Sequence, residues 1–111
     1  MKVAERIGKD DFNKLMNSPG RHLIVFAAKW CGFCSRFIDQ AQSFETSKDV
    51  LLSVVDTDDP DESLWDEFSI RIVPTLAVFD NGKIIFRRDG KSGIGLRMSD
   101  LEEGISKTID S

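Results

Sequence analysis

The chain has 111 residues, of which 41% are hydrophobic and 31% charged, and it carries a net charge of −4. That length supports one core of ordinary size without disulfide or metal staples, and the acidic balance excludes a nucleic-acid binder working through a basic surface. Every apolar run falls well short of the roughly 20 residues that cross a bilayer, so no membrane segment is expected.

Taken in chain order, "MKVAERIGKDDF" lacks an apolar h-region, so no secretory signal is read and the expected location is cytoplasmic. "KVAERI" reads as a short first strand. Asp10 and Asp11 are candidate caps for a helix whose apolar face is Phe12, Leu15 and Met16. "NSPG" at 17–20 ends it with turn chemistry. "LIVFAA" (23–28) is an unbroken apolar run, the pattern of a strand buried on both faces. A helical stripe follows from Cys34 to about Thr46, with Phe37, Ile38, Ala41 and Phe44 on one side. "LLSVV" (51–55) is a second buried strand, and "DTDDPDE" leads into a helix bearing Leu64, Trp65 and Phe68. "TLAVF" (75–79) and "KIIFRR" (83–88) flank Asn81-Gly82, a hairpin signal because both residues accept positive φ. Ser99 and Glu102 match a capping box for a last helix that buries Leu101, Ile105 and Ile109. Residues 1–111 thus form one α/β domain, with a mixed central sheet covered by helices on both faces.

Cys31 and Cys34 are the only cysteines, in "KWCGFCSRF", where a buried strand ends and a helix begins. A helix N-terminus presents unpaired N–H groups and the positive end of the macrodipole, which favour a thiolate at Cys31 and make it nucleophilic. Gly32 is read as allowing a tight turn. Cys34, one turn later, can reach Cys31 and should be the more buried. The chemistry expected is thiol–disulfide exchange: Cys31 attacks a substrate disulfide and Cys34 resolves the mixed disulfide. Two other readings compete. The cysteines could simply pack, or they could be half of a zinc site, for which the one histidine, His22, lies at the wrong end of its strand. "IRIVPT" sets Pro74 at the start of an apolar strand; a cis Val73–Pro74 bond there would leave the Val73 backbone exposed to pair with an extended substrate.

These residues resemble the thioredoxin family. "FAAKWCGFC", "IVPT" and "VFDNGK" stand in the family's order and spacing, and the likeness covers nearly the whole chain. The resemblance implies that Cys31 is the nucleophile, Cys34 the resolving thiol and Pro74 cis. It implies sheet order 1-3-2-4-5, with strand 1 parallel to strand 3 and the last strand antiparallel. It makes Trp30 a surface contact residue beside the thiols. Together with Trp30, the substrate groove is expected to include Gly32, Phe33, Val73, Pro74 and either Gly93 or Gly95. The dithiol carries the electrons itself, so no cofactor or metal is expected. The partners implied are disulfide-containing proteins and a separate flavoprotein donor resembling thioredoxin reductase, with the chain acting as a monomer and contacting neither nucleic acid nor membrane.

Two departures from the family bear on mechanism. Typical members carry a buried Asp in the active-site strand, where Val25 stands here, and often a Lys on the next strand, where Val54 stands. Losing both together avoids an isolated buried charge, but it leaves Cys34 without a nearby base, so slow resolution of mixed disulfides is expected. The intervening dipeptide is Gly32-Phe33 rather than Gly-Pro. Phe33 restores a backbone N–H and adds apolar surface, and the pair is expected to be less reducing than in a typical thioredoxin. No Gly-Gly motif follows the proline, which disfavours a glutathione-dependent glutaredoxin. The direction of the chemistry stays open among a protein-disulfide reductase, an isomerase or oxidase, and a redox-sensing interaction module.

Two further motifs are set aside. In "DTDDPDESLWDE", Asp56, Asp58 and Glu67 match calcium-loop positions, but Pro60 and Asp61 stand where a ligand and the turn glycine belong; the segment reads as an acidic loop in which Asp59 or Asp61 caps a helix. "DGKSGIG" contains Gly-Lys-Ser but has Ile85 where a phosphate loop needs its first glycine. The stretch from Asp89 to Met98 is longer than the family's turn. It would carry Lys91 and Arg97 to the groove, or else be an unrelated surface insertion.

Overall fold

The computed structural model describes residues 1–59 and 63–109. Its elements are β1 (Lys2–Val3), α1 (Lys9–Met16), β2 (Arg21–Ala27), α2 (Gly32–Ser43), β3 (Leu51–Asp56), α3 (Ser63–Glu67), β4 (Thr75–Asp80), β5 (Lys83–Asp89) and α4 (Met98–Ile109). The most apolar strand takes the centre of the sheet, whose order is β1-β3-β2-β4-β5. β1, β3 and β2 are parallel, whereas β4 and β5 run antiparallel to their neighbours. The mixed sheet and its strand order are those expected. Asn81 and Gly82 turn the β4–β5 hairpin with φ of 51° and 83°.

Alternation along β2 divides the core into two layers. Phe26 points toward α1 and α3, where its ring meets Phe12 and Phe68 at 5.6 Å and Phe79 at 6.4 Å between centroids. The contacts with Phe12 and Phe79 are edge-to-face and that with Phe68 is stacked; aromatic pairs of these kinds add about 0.5–1.5 kcal/mol each beyond area burial. Leu23, Val25 and Ala27 point the other way, toward α2 and α4. On that side Gly104 of α4 lies so close that a Cβ there would sit 3.0 Å from Leu23 Cδ1. Cys34, Phe37 and Ala41 bury the inner face of α2 in the same layer.

The helix starts differ from the sequence expectation. Gly8 is the N-cap of α1 and makes no side-chain cap bond, so Asp10 and Asp11 lie in the first turn, where they interact with the macrodipole rather than cap the helix. α4 begins two residues ahead of the start that the proposed capping box implies. Asp100 accepts the Arg97 N–H at 2.8 Å, so the reach-back bond comes from an aspartate, and Ser99 falls inside the helix. The Asp61 cap expected for α3 lies outside the described residues, as does Pro60.

Candidate active site

Cys31 is the N-cap of α2. Its backbone is extended, with φ −97° and ψ 110°, and its sulfur takes the place usually filled by a Ser or Asp oxygen: Cys34 N–H donates to Cys31 Sγ at 3.2 Å. The central strand delivers Cys31 just beyond its carboxyl end and the helix turns a donor onto it. Both cysteines are free thiols. Cys31 retains 8% exposure and Cys34 none, as the sequence implied. Burial, followed by the hydrogen bond with Cys31, pushes the Cys34 thiol up to about 12. Cys34 is therefore held protonated at neutral pH.

Across from the thiols the Val73–Pro74 bond is cis. The Val73 carbonyl accepts the Cys31 thiol at 3.5 Å. The backbone acceptor expected to be left unpaired is thus occupied by the thiol itself.

Gly32 corrects one sequence expectation. Its φ lies outside the left-handed region and a Cβ there would meet nothing within 4 Å, so the turn does not require glycine. The extended backbone of Cys31 makes the turn instead. Phe33 is 37% exposed, and the Arg36 guanidinium lies over its ring at 4.9 Å. Arg36 also donates to the Ile94 carbonyl, tying α2 to the segment after β5. That segment is a closed turn in which Lys91 and Gly95 exchange backbone hydrogen bonds of 3.0 and 2.8 Å. Gly95 packs on Phe33, where a Cβ would lie 3.0 Å from the Phe33 Cβ; Gly93 sits at the open tip. Of the two candidate glycines, Gly95 is the one packed on Phe33 of the motif. Lys91 and Arg97 are exposed on the same segment.

Gly90 was missed from the sequence, where it appeared only as part of Gly-Lys-Ser. Its N–H donates to the Pro74 carbonyl at 2.9 Å, and a Cβ would fall 2.6 Å from that oxygen. No side chain fits there without displacing backbone. Gly90→Ala is expected to cost about 1–3 kcal/mol by the overpacking this forces, read as a lower urea midpoint at unchanged slope. A midpoint equal to that of the parent would show that the contact yields freely.

Trp30 is 63% exposed and stacks on Trp65, with centroids 6.5 Å apart and planes 5° from parallel. Its Nε1 donates to the Asp58 carbonyl at 3.0 Å, and Lys29 N–H donates to Asp58 Oδ1 at 2.5 Å. Trp65, one of the three large apolar residues noted around α3, is half-buried and backs Trp30. Asp56 and Asp58, which suggested a calcium loop, bracket the residues that lead into the motif: Lys29 Nζ lies 4.0 and 3.8 Å from their carboxylates. Burial, then the hydrogen bond with Asp58, raises Asp56. Burial also pushes Asp58 upward, but its bonds with Asp56 and the Lys29 N–H outweigh this and lower it. Among the described residues, no group of three or more His, Cys, Asp or Glu side chains could hold a metal ion. His22 lies at the opposite end of β2, near the Ser18 carbonyl. Among the described residues no helix is long and apolar enough to cross a membrane.

Val25 and Val54 are register partners on adjacent strands and both are buried. The two positions at which the family resemblance implied an acid and a lysine are thus a contiguous apolar pair.

Comparison with known proteins gives a consistent pattern. The family model for Thioredoxin matches residues 3–106. A putative protein disulfide-isomerase of Schizosaccharomyces pombe is 36% identical over 90 residues, covering 77% of this chain, but the match spans only 18% of that protein. A thioredoxin of Coprinus comatus is 33% identical over 103 residues, covering 90% of this chain and 92% of the relative. Among solved structures, a thioredoxin of Schistosoma mansoni superposes with a TM-score of 0.75 at 21% identity over 97% of this chain and 96% of its own, a likeness of fold.

Proposed function

The chain belongs to the thioredoxin family, and from that premise we propose that it is a thiol–disulfide oxidoreductase that reduces protein disulfides. The observation that carries this reading is the Cys31 sulfur acting as the N-cap of α2, with the Cys34 N–H bonded to it and Cys34 buried behind.

The reaction runs in two displacements. Cys31 Sγ attacks one sulfur of the substrate disulfide; a Cys31–substrate bond forms, and the other substrate sulfur leaves with the electron pair and takes up a proton. Cys34 then loses its proton and attacks Cys31 Sγ. The Cys31–Cys34 bond forms, the substrate sulfur departs, and the substrate has gained two electrons. A separate flavoprotein reductase is the donor that would return the pair to dithiol. Trp30, Phe33, Val73, Pro74 and Gly95 form the groove in this reading, and freeing the Val73 carbonyl from the thiol offers the substrate backbone an acceptor. Arg36, Lys91 and Arg97 give the Phe33 side a basic lip, opposite the acidic lip at Asp58, which favours substrates with acidic residues on one flank of the cysteine. A reducing compartment such as the cytoplasm suits this chemistry.

The test is insulin reduction by dithiothreitol, followed by turbidity. The protein at micromolar concentration is expected to shorten the lag severalfold; an unchanged lag would leave a binding module rather than a catalyst. Two observations favour a second reading, as an isomerase: Phe33 breaks the usual Gly-Pro dipeptide, and two relatives bear the name of a disulfide isomerase. Equilibration with glutathione separates the two. A potential near about −270 mV supports a reductase, one near about −180 mV an isomerase.

A further inference from the structure

The apolar pair Val25 and Val54 leaves open how a fully buried thiol is brought to ionise, and the segment between β1 and α1 supplies a group for this. Residues 4–8 run alongside β3. Ala4 N–H donates to the Leu52 carbonyl at 2.9 Å, Ile7 N–H to the Val54 carbonyl at 2.9 Å, and Asp56 N–H to the Ile7 carbonyl at 2.8 Å. Arg6 is therefore fixed by backbone on both sides. Its Nη1 lies 4.0 Å from Asp56 Oδ1, and both atoms are buried without a hydrogen-bond partner. At that separation the pair is not locked into a hydrogen-bonded ion pair, so the guanidinium charge is only partly neutralised.

Strand register puts this cluster on the Cys34 side of the sheet. Asp56 is the partner of Ala27, and it follows Val54 by two residues, so its side chain shares a face with Val25 and Val54. Cys34 is fully buried on the inner face of α2, the helix that covers this face, and the preceding Cys31 N–H is bonded to the Ala28 carbonyl at 3.2 Å, next to Ala27.

We propose that Arg6 is a positioning residue for the resolution step, its guanidinium favouring the Cys34 thiolate as it forms, in the place of the carboxylate absent at position 25. The proposal rests on the oxidoreductase reading above. In the step, the Cys34 proton passes to water, the thiolate electron pair attacks Cys31 Sγ, and the substrate sulfur leaves with the electrons of the broken bond. A positive charge beside the developing thiolate lowers the cost of the first event. Arg6 opposes the upward push of burial on Cys34. The other charges facing this cluster are Lys29, Asp56 and Asp58. The two carboxylates draw on the same guanidinium and temper it.

The reduced full chain with 5,5′-dithiobis(2-nitrobenzoate) tests this in one trace. The first nitrothiobenzoate is released when Cys31 attacks, the second when Cys34 resolves. Arg6→Gln is expected to slow the second release about tenfold and raise its pH midpoint by about one unit, with the first release within about twofold of the parent. Arg6→Lys restores most of the second rate, because it keeps the charge. Asp56→Asn, which removes the competing negative charge, leaves the second release at least as fast as in the parent. An unchanged second release in Arg6→Gln overturns the proposal. So does a failure of lysine to rescue, or a slowing in Asp56→Asn equal to that in Arg6→Gln, which would mark the pair as structural. If the parent protein released no nitrothiobenzoate at all, the oxidoreductase reading itself would fail, independently of Arg6.

Discussion

Cys31→Ser is expected to reduce disulfide-reductase turnover at least a thousandfold, whereas Cys34→Ser is expected to stop turnover by trapping the substrate. The asymmetry follows from geometry. Of the two cysteines only Cys31 retains any exposure, and only its sulfur receives the helix N–H. Cys34 has no exposed surface and is held as a thiol well above neutral pH. Without Cys31 no other sulfur can attack, and a serine hydroxyl does not exchange with disulfides. Without Cys34 the first displacement still runs, and the Cys31–substrate bond has nothing to break it from behind. Non-reducing electrophoresis of the Cys34→Ser protein with a disulfide substrate should show a covalent adduct that dithiothreitol dissolves. No adduct with Cys34→Ser, or an adduct with Cys31→Ser, would reverse the roles assigned to the two cysteines.

The second large effect concerns the apolar pair behind the motif. Val25→Asp alone is expected to cost about 3–5 kcal/mol near neutral pH, because the introduced carboxylate is buried against Val54 and the cation on that face, Arg6, already faces Asp56. Adding Val54→Lys should recover much of this, since the two positions are register partners. The sign of the pH dependence is fixed. Burial raises the introduced carboxyl above its unfolded value, so its protonated form costs little at low pH. The penalty appears as pH climbs past the unfolded carboxyl range, at about 4, and grows toward the folded value. Urea unfolding at pH 5 and pH 8 should therefore show a larger deficit at pH 8. A deficit that shrank with pH, or a double variant no more stable than Val25→Asp, would refute the buried-charge account.

Much of this architecture was legible because it rests on local signals. An unbroken apolar run marked the central strand, Asn81-Gly82 the hairpin, and two thiols at a strand-to-helix junction the site. The sequence misled where a residue's role depends on what lies across from it. Gly32 sits within the motif, and its glycine is not required by the backbone, whereas Gly90 lies far off in sequence and is excluded from any larger side chain by the Pro74 carbonyl. Asp56 and Asp58, whose match to calcium-loop positions the sequence already set aside, gave no hint of the place that strand register assigns them, beside Lys29 and Arg6. Arg6 carried no signal at all, since nothing in "KVAERI" indicates that its fifth residue lies behind a cysteine 28 positions away. Helix starts failed for a related reason: several residues near each start could cap it, and tertiary packing selects among them.

The stacking of Trp30 on Trp65 has an optical consequence. The chain contains two tryptophans and no tyrosine, and both indoles lie at the lip of the dithiol groove. Nearly all near-ultraviolet emission from the protein therefore originates within a few side chains of Cys31. A change of redox state or an arriving partner alters the surroundings of the only strong chromophores present, so steady-state fluorescence of the unlabelled protein reports on the groove and on little else.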